Sequence, residues 1–199
     1  MRILNVGGRS KEIPIPLHYL GWEHILLDID PSGSPDIVCD ARNLTSLAAA
    51  QFDAIYCSHN LEHYYKHDGH GVLRGFLHVL RDDGFAEIRV PDLGALMQRV
   101  IESGMDIEDV LYISPAGPIT PRDVLYGFAA EIERSGQDFY AHKTGFTEKS
   151  LYHALDDAGF EEAVLVKIPE MFELRVFAFK ATPRLDQLTL LGISPDGIE

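Results

Sequence analysis

Five short apolar runs, each closing on glycine or polar residues, constrain this chain more than any other feature. They are "RILNV" (2–6), "HILLDID" (24–30), "DIVCD" (36–40), "FDAIYCS" (52–58) and "FAEIRV" (85–90). Runs of this length, rich in β-branched and aromatic residues, read as strands covered on both faces. The segments between them are short or helix-like. "IPLHYLGW" (15–22) can hold a short helix at best, because Pro14 and Pro16 allow only a helix start. "LTSLAAA" (44–50) reads as a brief helix. "GVLRGFLHVLRDDG" (71–84) places Val72, Leu73, Phe76, Leu77 and Leu80 at helical spacing, with Gly84 as its C-cap. Strand and helix alternating over short links predict right-handed βαβ units and a mostly parallel sheet flanked by helices.

After the helical "LGALMQRVIES" (93–103) this pattern breaks. Residues 104–146 are rich in proline and glycine and contain one helix-like stretch, "RDVLYGFAAEIERS" (122–135). They read as an insertion within a single domain spanning 1–181, too long for a mere connection and suited to a substrate lid. "TEKSLYHALDDAGF" (147–160) resumes as a helix between Thr147 and Gly159. "EAVLVKI" (162–168) and "FELRVFAFKA" (172–181) are separated only by a few residues around Pro169. So short a link predicts an antiparallel hairpin, since parallel neighbours need a crossover of about a dozen residues. The tail, 182–199, carries little signal.

The charge balance narrows the partners. With 31 acidic against 17 basic residues the formal charge is −14, which opposes the counterion displacement that nucleic-acid binding requires. No apolar run approaches the ~18 residues of a membrane span. The opening "MRILNVGG" reads as strand and turn, without the apolar core of a secretory signal. Cys39 and Cys57 each lie near the end of an apolar run and read as buried free thiols of a reducing compartment. The expectation is a cytoplasmic protein with a small-molecule partner, no nucleic acid and no membrane. A homodimer is compatible with the sequence but not required by it.

In open parallel sheets, ligands bind beyond the carboxyl ends of the strands. Here four successive strands end in suitable groups: Gly7, Gly8, Arg9 and Ser10; Asp28 and Asp30; Asp40 and Ala41; Ser58, His59 and Asn60. A glycine turn lets backbone N–H groups approach a ligand closely. Asp28 follows Gly7 by about the 20 residues at which a carboxylate meets a ribose in nucleotide folds. Asp40 can accept from an adenine amino group, with Ala41 as a backbone donor. Asp30, before Pro31, reads as a turn former. His59, His63 and His67 lie at helical spacing, but a zincin would want His-Glu-x-x-His, and here Glu62 adjoins the second histidine. Asp68-Gly69 and Gly71 also predict that no helix continues past His67. The cluster therefore reads as cofactor floor and helix cap, with no metal, and Glu62 and His63 as structural.

The ordered set "LNVGGRS", "LLDIDPS", "VCDARNL", "FDAIYCSHNLEHY" and "VLRDDGFAEIRVPDL" resembles the class I S-adenosylmethionine-dependent methyltransferases, specifically the type 11 group. The resemblance covers about residues 1–104 and 147–181. It implies a Rossmann-like, mostly parallel seven-stranded sheet with a C-terminal antiparallel hairpin, and S-adenosyl-L-methionine as cofactor. It places Val6, Gly7, Gly8 and Arg9 at the methionine moiety, Asp28 at the ribose and Ile29 beside the adenine. Asp40 and Ala41 would read the adenine edge, and Ser58, His59 and Asn60 would line the methionine side. Arg9 stands where the family usually has a second glycine, and Asn5 where it has an acid.

A hydroxyl acceptor would benefit from a general base. His59 and His142 are the candidates, with Tyr64, Tyr65 and Tyr140 as substrate lining. The stretch "HKTGFT" (142–147) resembles enzymes of sugar or cell-surface glycan metabolism. The implied function is methyl transfer to a small molecule, a sugar or glycan precursor being one class that this stretch suggests. The competing reading is a catalytically degenerate fold that binds a nucleoside or a partner protein. A nicotinamide dehydrogenase is disfavoured by the missing third glycine of G-x-G-x-x-G, and a metal-dependent hydrolase ranks third.

Overall fold

The computed structural model describes residues 1–114, 117–168 and 172–194. In chain order it contains β1 (Arg2–Val6), β2 (Glu23–Asp28), β3 (Ile37–Val38), β4 (Phe52–Ser58), α1 (Lys66–Val79), β5 (Leu80–Pro91) and α2 (Leu93–Ser103). These are followed by β6 (Tyr112–Ser114), β7 (Gly117–Ile119), α3 (Pro121–Tyr126), α4 (Ala129–Ser135), α5 (Glu148–Ala158), β8 (Glu162–Ile168), β9 (Glu173–Phe179) and α6 (Leu185–Leu191). Seven strands form one sheet in the order β3-β2-β1-β4-β5-β9-β8, while β6 and β7 pair as a separate two-stranded sheet. Pairings from β3 to β5 are parallel, and both pairings of β9 are antiparallel. The strand order reverses between β1 and β4, which puts a crevice at their carboxyl ends. The mostly parallel sheet with a terminal hairpin is thus the observed architecture. The hairpin's turn at Pro169 lies outside the described residues.

The two sheet faces are covered in different ways. Leu4, Val6, Ile55, Cys57 and Ile88 pack on one face against Leu73, Phe76 and Val79 of α1 and Leu151 and Leu155 of α5. The opposite face holds Ile3, Ala54, Phe85, Phe177 and Phe179, covered by Tyr19 and by Leu188 of α6. Its crossover from β1 to β2 contains a single 3-10 turn, Leu17–Tyr19, in place of the usual α-helix. A polar clamp fixes that turn. The carboxylate of Glu87, fully buried on β5, meets His18 Nε2 at 2.8 Å and accepts from Tyr19 Oη at 3.0 Å. Its other oxygen accepts from Arg89 and from Arg175 Nε, the latter at 2.8 Å.

Several local expectations need correction. The 44–50 helix is instead a 3-10 stretch at Ala41–Ser46, capped by the Asp40 side chain. Helix α1 starts at Lys66 and runs through Asp68, Gly69 and Gly71, which the sequence marked as breakers. Gly69 is buried there, its Cα side facing Leu61 and Tyr64, so packing offsets a helix-propensity cost of about 1 kcal/mol. The helix ends at Val79, not at Gly84, because Leu80 pairs with Phe52 and is drawn into the sheet. Helix α6 was missed in a tail that carries Leu185, Leu188 and Leu191 at helical spacing before Gly192, a left-handed C-cap.

Two glycines of α1 should respond oppositely to the same substitution. A Cβ on Gly75 would lie 2.7 Å from Leu44 Cβ, whereas at Gly71 it would meet nothing within 4 Å. Gly75→Ala is expected to destabilise by about 1–3 kcal/mol through overpacking. Gly71→Ala is expected to stabilise by about 0.5–1 kcal/mol through helix propensity. Urea unfolding midpoints check both, and shifts of equal sign would contradict the packing.

Candidate active site

A cleft of about 250 Å³ opens at the carboxyl ends of β1, β2 and β4. Of the residues singled out in the sequence, Gly7, Arg9, Asp28, Ile29, Asp40, His59 and Asn60 line it, together with Tyr64, Tyr65 and Tyr140. Val6 and Ala41 are buried beneath its walls, and neither they nor Gly8 and Ser58 form its lining. His142 lies elsewhere, in a second cavity described below. Asp30, Arg42, His63, Asp68, Phe139 and Lys143 also line the cleft and were not assigned to it from the sequence. Lys143 and His63 were visible inside quoted motifs, but nothing local says that they share a wall.

The loop after β1 is built around Asp28. One oxygen of its carboxylate accepts from Arg9 N at 2.9 Å and the other from Asp30 N at 2.9 Å, which ties the glycine turn to the end of β2. Arg9 itself adopts φ +60°, the left-handed conformation that favours glycine. Its guanidinium reaches Glu131 of α4 at 3.8 Å, linking the first loop to the 104–146 segment. Asp40 caps the following turn and is gripped by Arg42, with Nη2 to Oδ2 at 2.6 Å. That hydrogen bond outweighs burial and holds the Asp40 carboxyl below its usual range. Ile29 stays 45% exposed beside the buried Asp28, offering an apolar surface to the cleft.

His59 occupies the mouth of β4 in a left-handed conformation, φ +48°. Its Nε2 lies 2.9 Å from Glu173 Oε2 on β9, and its Nδ1 3.5 Å from Glu62 Oε1. Burial opposes charge on this ring, but the two carboxylates win and raise its pKa to about 10. His142 behaves differently. Burial lowers its pKa, and its Nδ1 lies 2.8 Å from the Val124 carbonyl. A carbonyl only accepts, so Nδ1 carries the proton and Nε2 the lone pair. Tyr64 Oη donates to Asn60 Oδ1 at 3.3 Å, and burial raises the phenol's pKa.

On the far side of His59 lies a second cavity of about 110 Å³, walled also by Tyr112, Phe128, His142 and Phe172. Three of these residues come from the 104–146 segment. That segment is held to the domain by Lys143 N and Thr144 N, which donate to the Glu62 carbonyl at 2.8 and 3.2 Å. His142 N also donates to Tyr126 O at 3.0 Å. Glu62, just after β4, is thereby placed beside a histidine 80 positions away in the chain.

Seven strands in this order, with an inverted C-terminal strand and a cleft at the reversal, define the class I S-adenosylmethionine-dependent methyltransferase fold. Residues 6–88 match the family model described as a methyltransferase domain, and the fold is that of the class I methyltransferases. A methyltransferase structure from Archaeoglobus fulgidus is 16% identical with TM-score 0.54, the alignment covering 89% of this chain and 85% of that one. The 1,6-didemethyltoxoflavin N1-methyltransferase of Burkholderia thailandensis, solved with S-adenosylhomocysteine, is 19% identical with TM-score 0.50, covering 90% and 70%. The PH0226 protein of Pyrococcus horikoshii is 15% identical with TM-score 0.57, covering 89% and 82%. No curated protein matches by sequence.

The cofactor of this fold and family is S-adenosylmethionine, and the residues present fit it. Asp28 presents a carboxylate at the end of β2 whose oxygens each keep further acceptor capacity. Ile29 offers the apolar flank for a base. Among the described residues no helix is long and apolar enough to cross a membrane.

Proposed function

We propose that this chain is an S-adenosylmethionine-dependent methyltransferase acting on a small molecule, with a sugar or glycan precursor as the favoured acceptor class. The observation that carries this reading is His59 standing as a shared wall between the cofactor cleft and the second cavity. Methyl transfer is an in-line displacement, so donor and acceptor must meet end to end across one boundary. When bound, the cofactor supplies an electrophilic methyl group; the protein supplies position and the exclusion of water.

In that division of work, Asp28 and Asn60 orient the donor, and Tyr140 and Phe139 roof the cleft. The 104–146 segment then acts as a lid that also brings the acceptor's wall. Tyr112, Phe128 and Phe172 supply flat apolar faces, and His142 supplies a ring nitrogen among them. Aromatic faces interleaved with a few polar groups suit a hydroxylated ring, and the "HKTGFT" stretch supports the same class.

Calorimetric titration of the protein with S-adenosylhomocysteine tests the reading. Binding in the micromolar range is expected, weakened about 10–100-fold by Asp28→Asn, the range lost with a hydrogen bond to a charged group. An acceptor screen of hydroxylated small molecules then follows. Absence of both heat and thermal stabilisation in the parent protein would overturn the assignment and favour the degenerate, non-catalytic alternative.

A further inference from the structure

Among the described residues, the carboxylate of Glu62 is the least satisfied buried group. It is fully buried, yet neither of its oxygens has a hydrogen-bond partner. An orphaned buried carboxylate is costly unless something compensates it. Its charged neighbour is held at long range, His59 Nδ1 at 3.5 Å from Oε1, and His142 Nε2, which carries the lone pair, stands at 3.9 Å.

What surrounds it is a ligand set. A carboxylate oxygen of Glu62 and one ring nitrogen each of His63 and His142 all lie within 4.8 Å of one another. The two rings meet edge to face, their centroids 4.9 Å apart. Each is oriented from outside by a backbone carbonyl: His63 Nδ1 lies 3.2 Å from Ala141 O, and His142 Nδ1 2.8 Å from Val124 O. A carbonyl accepting from one imidazole nitrogen is the arrangement that fixes the tautomer of metal-binding histidines. Ligands about 2.1 Å from a zinc ion stand about 3.4 Å apart, so closing the cluster requires only small side-chain adjustments.

We propose that Glu62, His63 and His142 form a binding site for one divalent transition metal ion of the zinc class. Two imidazoles and one carboxylate are borderline ligands that suit zinc over magnesium or calcium, and three protein ligands leave a coordination position open. His142 walls the second cavity and His63 the cofactor cleft, so the site adjoins the space assigned above to the acceptor. The ion would hold an acceptor oxygen there. This last step rests on the methyltransferase reading, whereas the metal site does not.

The test uses the full chain, stripped with chelator, then titrated with Zn²⁺ and, in parallel, with Co²⁺ as a visible ligand-field probe. One equivalent of zinc should bind per chain, and saturation should raise the melting temperature by about 5 °C or more at a hundredfold excess over Kd. His142→Ala and Glu62→Gln should each weaken binding by about 100-fold or more and abolish the cobalt spectrum. His67→Ala removes an exposed histidine of α1 outside the cluster and should leave both intact. If Glu62→Gln does not fold, His142→Ala alone decides. Zinc that fails to bind, that survives His142→Ala, or that is lost with His67→Ala would overturn the site. S-adenosylhomocysteine titration of the chelated and zinc-loaded protein separates the two readings: metal without cofactor binding sinks only the methyltransferase proposal.

Discussion

Replacing Glu87 with glutamine is expected to lower the unfolding free energy by about 3 kcal/mol near neutral pH, and by progressively less in acid. The buried Glu87 carboxylate compensates Arg89 and Arg175 and holds His18 and Tyr19 onto the sheet. Removing one member of such a buried ionic set costs about 3–5 kcal/mol, because the remaining charges lose their compensation. Burial alone would raise the carboxyl's pKa, but His18, Arg175 and Arg89 bring it down to about 2 from an ordinary 4.5. A folded pKa below the unfolded one means stability that is fully present above about pH 4.5 and lost as pH falls through about 2. The shift corresponds to about 3 kcal/mol. Urea melts of parent and Glu87→Gln at pH 7, 5, 4 and 3 should therefore converge towards acid. A gap that stays constant with pH would show that Glu87 is not the charge that matters there.

Gly7→Ala should weaken S-adenosylhomocysteine binding by about 30-fold or more and destabilise the fold. Gly7 sits at φ +73°, and a Cβ there would fall 2.1 Å from Asn60 Nδ2 and 3.0 Å from its Cβ. The left-handed conformation costs a non-glycine residue about 1–2 kcal/mol, and overpacking adds about 1–3 kcal/mol. Relief requires moving Asn60, which holds Tyr64 and lines the cleft. The cycle with Asn60→Ala separates the two causes: the overlap with the Asn60 amide disappears in the double variant, but the backbone strain remains. Wild-type affinity in Gly7→Ala would mean that this loop does not contact the cofactor.

Much of this is legible in the sequence. The apolar runs and short links gave strand direction, because a parallel neighbour cannot be reached across a few residues while a hairpin can. The placement of Gly7, Asp28, Asp40 and Asn60 on one cleft followed, since parallel strands deliver their carboxyl ends to the same edge. Arg9 was harder to judge. The sequence shows a bulky cation where the family has glycine, and only the backbone shows it keeping the left-handed conformation while its side chain reaches Glu131.

Local period fails where a residue's role depends on a distant partner. Gly69 and Gly71 read as helix breakers, yet α1 runs through both, with Gly69 buried against Leu61 and Tyr64. Glu87 sits in a strand between apolar neighbours with no mark of its charge partners, which come from the β1–β2 crossover and β9. Glu62 and His63 looked like a cap because the third member of their cluster, His142, is 80 positions from Glu62. Two amides, Lys143 N and Thr144 N, donating to the Glu62 carbonyl, bring it there. The sequence by itself determined the succession and direction of the strands and the edge at which the cleft opens, because those follow from periodicity and link length. The tertiary structure alone decided which charges share a buried site, because burial and long-range hydrogen bonds set that, and neither is a property of any local stretch.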